Sequence, residues 1–290
     1  MRSIALVHLL LLSVAVVAVF VGPTGAFSPL NGKSNPISPI IRITIYSDIA
    51  VPWCYVAHKR LERAVQIHNS KIDSISKKII RKDIPSKLPP RVKVKWRPFQ
   101  HDPTIPEQGI PLEVYTKQRG NGSLQWTKTV KSRGRRDGAL FACWPENAVW
   151  PNTLKVHQVI QFAQEKCGMD GMEASSVMFH AFYEEGLNIC DIDVLLKIGV
   201  ERLNLPAAPL REYLENDFGA EQIEKDRSRV KRMYNLQVLP FFIIVKDRSG
   251  DLPYTFAGAQ SRGTCTKLFY WQMWKVLLWS GATREEKIVS

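Results

Sequence analysis

The chain has 290 residues, 45% of them hydrophobic, enough to bury a full core as one large domain or as one domain carrying an insertion. Its 40 basic and 27 acidic residues give a formal charge of +13, with mild basic concentrations at 71–95 and 128–136. No zinc-knuckle, RNP-like or helix-turn-helix pattern accompanies that charge, so a solvated basic surface is expected and no specific nucleic-acid partner. The five cysteines, Cys54, Cys143, Cys167, Cys190 and Cys265, form no Cys-x-x-Cys pair. That excludes a disulfide scaffold and zinc-ligand spacing, and no metal or bound cofactor is expected.

Met1-Arg2, an apolar run from Ile4 to Val21 and small residues at Thr24-Gly25-Ala26 read as a signal peptide over 1–26. The run is long enough to span a bilayer, so an uncleaved anchor is the alternative; with cleavage, no membrane attachment is expected. Residues 27–40, FSPLNGKSNPISPI, are rich in Ser, Pro and Asn and contain no acid. The junction Ala26-Phe27 resembles the cleavage motif of bipartite plastid presequences in algae with secondary plastids. That resemblance implies a plastid destination, with the secretory pathway or extracellular space as the alternative.

Ile41, Ile43 and Ile45 alternate with polar residues and predict a strand with one buried face. After a short loop, Asp48 to Pro52, the spacing of Trp53, Val56, Leu61, Ala64 and Val65 predicts a helix that fades near His68-Asn69. Proline is acceptable in a first helical turn. Cys54 therefore sits at a positive helix end, where a thiol's pKa is expected to fall. Ser70 to Pro90 reads as a surface extension, and Val92, Val94 and Trp96 as a second strand ending at Pro98-Phe99. The Lys131–Arg136 run and the glycines between 115 and 150 suggest a solvated loop, with a mobile cap as the alternative.

From about Leu112 to Asn216 the pattern is mostly helical, with amphipathic stretches around Leu154–Ala163, Val177–Phe182 and Val194–Leu203. A charged helix returns at Glu221–Asn235. The apolar run Val238 to Val245 predicts a strand buried on both faces, with Pro240 near its start. Tyr254–Phe256 reads as a short last strand, and the aromatic stripe from Phe269 to Trp279 as the core face of a C-terminal helix.

Asp48, Pro52, Trp53, Cys54 and Tyr55 are similar to the active-site segment of the FrnE-like branch of the DsbA family, whose motif runs Cys-Pro-Trp-Cys-Tyr. Trp96–Phe99, Asn152-Thr153 with His157, Phe182–Gly186 ahead of Asp191–Leu195, Val238–Phe242 and Gly258–Gln260 resemble the same family. The resemblance implies an α/β thioredoxin-like fold in two parts, 41–111 and 217–290, around an inserted helical domain at 112–216. It also implies a cis-proline at Pro240, which aims neighbouring backbone groups at a bound extended chain. Val51 stands where the family has its exposed nucleophilic cysteine. The implied candidates are thus Cys54 as the catalytic thiol, with Val51, Pro52, Trp53, Leu239 and Pro240 lining the substrate site.

A dithiol cycle needs two thiols, one to attack and one to displace. With Val51 in place, that cycle cannot close in this motif. The expected function is a degenerate or monothiol thiol–disulfide oxidoreductase acting through Cys54 on glutathione or protein thiols, with glutathione a possible co-substrate. The alternatives are a non-catalytic module that binds peptides or thiols, and a glutathione-dependent isomerase or transferase of the kappa type.

Overall fold

A computed structural model describes residues 40–82, 91–119, 122–144, 148–246 and 252–260. The expectations for the signal peptide, the Ala26-Phe27 junction and the aromatic stripe of the C-terminal helix lie outside these residues. The alternating isoleucines form β1 (Ile40–Ser47), with Ile41, Ile43 and Ile45 buried and Arg42 exposed. Helix α1 (Pro52–Lys82) follows and is longer than its sequence pattern suggests. The polar pair His68-Asn69 does not end it. His68 is buried, Ile72 continues the buried line of Leu61 and Ala64, and the Asn69 amide exchanges two hydrogen bonds of 3.1 Å with the backbone of Val92. Residues 70–82 are therefore helix rather than a surface extension.

Asn69 pins the start of β2 (Arg91–Pro98), whose Val92 and Trp96 are buried while Lys93 and Lys95 are wet. After a proline-rich loop come β3 (Ile110–Pro111) and α2 (Leu112–Arg119). The region read as a solvated loop contains α3 (Gln125–Arg135), with Thr127, Val130 and Gly134 facing inward. Gly134 marks a close approach, not a break: a Cβ there would meet the Phe141 ring at 2.6 Å and Val56 at 3.1 Å. Beyond α3, Ala139, Phe141 and Trp144 are buried, and β4 (Val149–Trp150) pairs with β3.

Helices α4 (Leu154–Cys167), α5 (Gly171–Tyr183), α6 (Ile192–Leu203) and α7 (Ala207–Glu215) follow. Asp170 and Asp191 cap α5 and α6 by accepting hydrogen bonds from backbone N–H groups in the first turn. The charged helix is α8 (Ala220–Tyr234). The apolar run then yields β5 (Phe241–Lys246), shorter than expected because it starts only after Pro240 and leaves Val238 54% exposed. The last described strand is β6 (Tyr254–Ala257).

The main sheet has the order β2-β1-β5-β6, with β1 parallel to β2 and antiparallel to β5. A parallel pair needs a crossover, and α1 supplies it. Buried side chains from the sheet, α1 and the helices between residues 112 and 216 form one continuous cluster. Among the described residues there are eight helices, and none is long and apolar enough to cross a membrane.

Candidate functional site

The C-terminal end of β1 leads into the turn before α1, and this turn is fixed from several sides. Asp48 Oδ1 accepts from Ala50 N at 3.1 Å, and its Oδ2 accepts from His101 N at 2.5 Å. The Tyr183 hydroxyl donates to the Ala50 carbonyl at 2.7 Å, so α5 holds the same turn from the helical side. Cys54 N closes the first turn of α1 on the Val51 carbonyl at 2.8 Å. Continuing the β1–β5 register by one residue sets Pro240 opposite Ser47, beside this turn. The Leu239-Pro240 peptide is cis, as the sequence suggested.

The candidate residues divide by exposure. Val51 and Trp53 are half-buried and face outward, whereas Pro52, Leu239 and Pro240 are buried. Cys54 has 0% exposure. Its helix-end position predicts a lowered pKa, but burial wins and pushes the thiol up to about 12, with the Asp48 charge opposing a thiolate as well. The nearby Asp48 backbone and Ser47 hydroxyl offset only part of this. Of the other described cysteines, Cys143 and Cys167 are exposed and Cys190 is half-buried.

Sequence patterns did not indicate how charged and polar groups collect behind the thiol. Burial raises the Asp48 pKa, but His157 and the two backbone donors outweigh it, so the carboxyl lies below its usual range. His157 Nε2 is 3.3 Å from Asp48 Oδ1, too poorly aligned for a straight hydrogen bond, so we treat the contact as electrostatic. His157 also packs on Trp96, with ring centroids 5.6 Å apart. Tyr55 stacks on Tyr183 at 5.4 Å and on Phe179 at 5.2 Å, with Phe141 edge-on. Its hydroxyl donates to Glu184 Oε1 at 3.0 Å. The same carboxylate accepts from the backbone N–H groups of Leu140, Phe141 and Ala142 at 2.8, 3.1 and 3.0 Å.

His58, one turn after Cys54, is 1% exposed, and neither ring nitrogen has a hydrogen-bond partner. Burial, with Lys59 adding a little, lowers its pKa to about 3. A folded histidine that resists protonation contributes stability that is full above the unfolded pKa of about 6.5 and is lost as pH falls towards 3. Unfolding free energy is therefore expected to drop by about 2 kcal/mol between pH 7.5 and 5 on account of His58. In a His58→Leu variant that slope should vanish in urea titrations at the two pH values; an unchanged slope would place the effect elsewhere.

Comparison with known proteins places the chain in a family. The model of the DSBA-like thioredoxin domain matches residues 42–268. The chain belongs to the DsbA-like thioredoxin domain family. Similar proteins include the uncharacterized protein YwbO of Bacillus subtilis, 26% identical over 207 residues, covering 70% of this chain and 86% of that protein. Among solved structures, a probable DsbA oxidoreductase, SCO1869, from Streptomyces coelicolor aligns with a TM-score of 0.62 at 20% identity, covering 86% of this chain and 94% of that one. The cytosolic disulfide reductase DsbM of Pseudomonas aeruginosa, solved with GSH, aligns with a TM-score of 0.50 at 15% identity, covering 82% and 99%. Both structures share the fold: a thioredoxin-like α/β sheet with a high helical content.

Proposed function

We propose that this DsbA-family chain binds thiol-bearing peptides or glutathione beside Val51, Trp53 and Pro240, and does not run a dithiol cycle. One observation carries the reading. The outward position of the active-site turn holds the valine Val51, while the remaining thiol, Cys54, is shut beneath it with its pKa pushed up to about 12. Thiolate is the attacking species in disulfide exchange, and little of it forms under those conditions. The fold supports binding, since Pro240 and the turn adjoin at the end of the sheet. Glutathione enters as a ligand because a neighbour of the same fold, DsbM, was solved with it.

A second reading keeps Cys54 as a monothiol. The Asp48 backbone and the Ser47 hydroxyl beside the thiol, which pull its pKa down, favour it. In this reading the turn opens to solvent, water takes the Cys54 proton, and the thiolate attacks a disulfide, expelling one half as a thiolate that picks up a proton from water and keeping the other in a mixed disulfide.

Insulin reduction with dithiothreitol as electron donor tests the first reading. Wild type is expected at the uncatalysed rate, and Val51→Cys at least about tenfold above it. Residues three apart in a helical turn bring their Cβ atoms within about 5–6 Å, and modest adjustment closes a disulfide. Catalysis by the wild type would overturn the proposal.

A further inference from the structure

We infer that the outer face of α3 is a docking surface for acidic polypeptide segments, which it delivers to the active-site turn. The inference rests on the reading above that the chain binds thiol-bearing peptides, and it names their charge. Between Val114 and Arg136 there are seven basic residues and no acid. Five of them, Lys128, Lys131, Arg133, Arg135 and Arg136, lie on or immediately after α3. At 100° per residue they sweep about 200° of the helix, the arc left free by the buried Thr127–Val130–Gly134 face.

Several basic residues elsewhere are paired with acids. In α8, Lys225 pairs with Glu221, Arg227 with Glu224 and Arg229 with Asp226. Arg202 pairs with Glu185, and Arg211 with both Asp193 and Glu215. Among the described residues, Lys128, Lys131, Arg133 and Arg135 make no ion pair. Asp137, the acid that follows the helix, bonds Arg60 of α1 at 2.7 Å. A concentration of unpaired charge costs self-repulsion, and a partner of opposite sign removes that cost.

The location favours a peptide over other anions. Arg133 lies over the Trp53 ring, 5.9 Å from its centroid, so one edge of the basic arc touches the turn that carries Val51. Gly134 lets α3 lie close against Val56 of α1. From Lys128 to Arg135 the helix rises about 10 Å, the length of three extended residues. An extended segment at the turn can therefore place two or three flanking carboxylates over α3.

The test is fluorescence anisotropy under reducing conditions with two labelled heptapeptides, Asp-Glu-Ala-Cys-Ala-Glu-Asp and Gly-Ser-Ala-Cys-Ala-Ser-Gly. The acidic peptide is expected to bind at least about tenfold tighter in 50 mM salt, with the gap closing at 0.5 M. Lys128→Glu/Lys131→Glu/Arg135→Glu should erase that gap. Lys166→Glu/Lys197→Glu/Arg232→Glu, equal in charge but on α4, α6 and α8, should retain it. If the reversed triple fails to fold, the glutamine triple at 128, 131 and 135 serves, with a smaller loss in the same direction.

Equal affinity for the two peptides, or equal losses in the two triples, would overturn the inference while leaving the peptide-binding reading standing. Binding of the acidic peptide alone, lost in the α3 triple, would uphold the inference and the peptide-binding reading together, whereas binding of neither peptide would overturn both. Equal or tighter α3-dependent binding of a single-stranded oligonucleotide or of phosphatidylserine vesicles would also overturn it, because the occupant would then be a different polyanion.

Discussion

Alkylation of Cys54 in the folded protein is expected to run at least about a hundredfold slower than that of Cys143 and Cys167. Moving a thiol from an ordinary pKa of about 8.5 to about 12 cuts its thiolate fraction at pH 7.5 roughly three-thousandfold. A more basic thiolate is a better nucleophile, with a Brønsted slope of about 0.4–0.5, which restores some thirty- to fiftyfold. Occlusion acts in the opposite direction, because Cys54 has 0% exposure and reagent needs an opening to reach it. The balance leaves about two orders of magnitude against Cys54. Iodoacetamide labelling followed residue by residue by mass spectrometry measures this directly. The order is the reverse of that expected from a thiol at a helix N-terminus. Labelling of Cys54 as fast as of the exposed cysteines would return the monothiol reading to first place.

Glu184→Ala is expected to lower the unfolding free energy by about 3 kcal/mol. The wild-type carboxylate accepts four hydrogen bonds, three from consecutive backbone N–H groups and one from Tyr55. Bonds to a charged acceptor are worth about 1.5–3 kcal/mol each, but Glu184 is only half-buried and water replaces part of the loss. Phe141 lies at a φ of 55°, an unusual backbone for a residue other than glycine, and the clamp holds that conformation. Alanine leaves the loop N–H groups and the Tyr55 hydroxyl without this partner. Glu184→Gln retains one acceptor oxygen and should cost about half as much. Urea denaturation of the three proteins checks the ranking. A loss under about 1 kcal/mol for alanine would mean that packing of Phe141 and Trp144 holds the loop by itself.

Much of the fold was legible because local and tertiary signals agree. The alternating isoleucines of β1, the helix from Pro52 and the alternation of β2 are patterns of period two and 3.6 that the core also requires. The end of α1 was missed for a physical reason. Asn69 looks like a helix terminator until its partner, Val92, is known, and that partner is 23 positions away. The loop reading of residues 115–150 failed similarly. Gly134 resembles a helix breaker in sequence, whereas in the fold it makes room for Phe141 and Val56.

At the site, the sequence resemblance located the turn and the cis-proline. It did not reveal the thiol's environment. The pKa of Cys54 depends on burial and on a carboxylate six residues earlier, and a helix-end argument weighs neither. The Glu184 clamp was hidden because its partners, Tyr55 and residues 140–142, lie 42 to 129 positions away. The charge on α3 was visible as a basic run. Its significance comes from the cation resting on Trp53 and from the lack of ion pairs at Lys128, Lys131, Arg133 and Arg135 among the described residues.

The turn from Asp48 to Val51 has one further consequence. Its shape is set by the Asp48 carboxylate, the Tyr183 hydroxyl and the first backbone bond of α1, none of which involves the side chain at position 51. Exchanging the side chain at 51 therefore leaves each of these bonds in place while changing the surface that the turn presents.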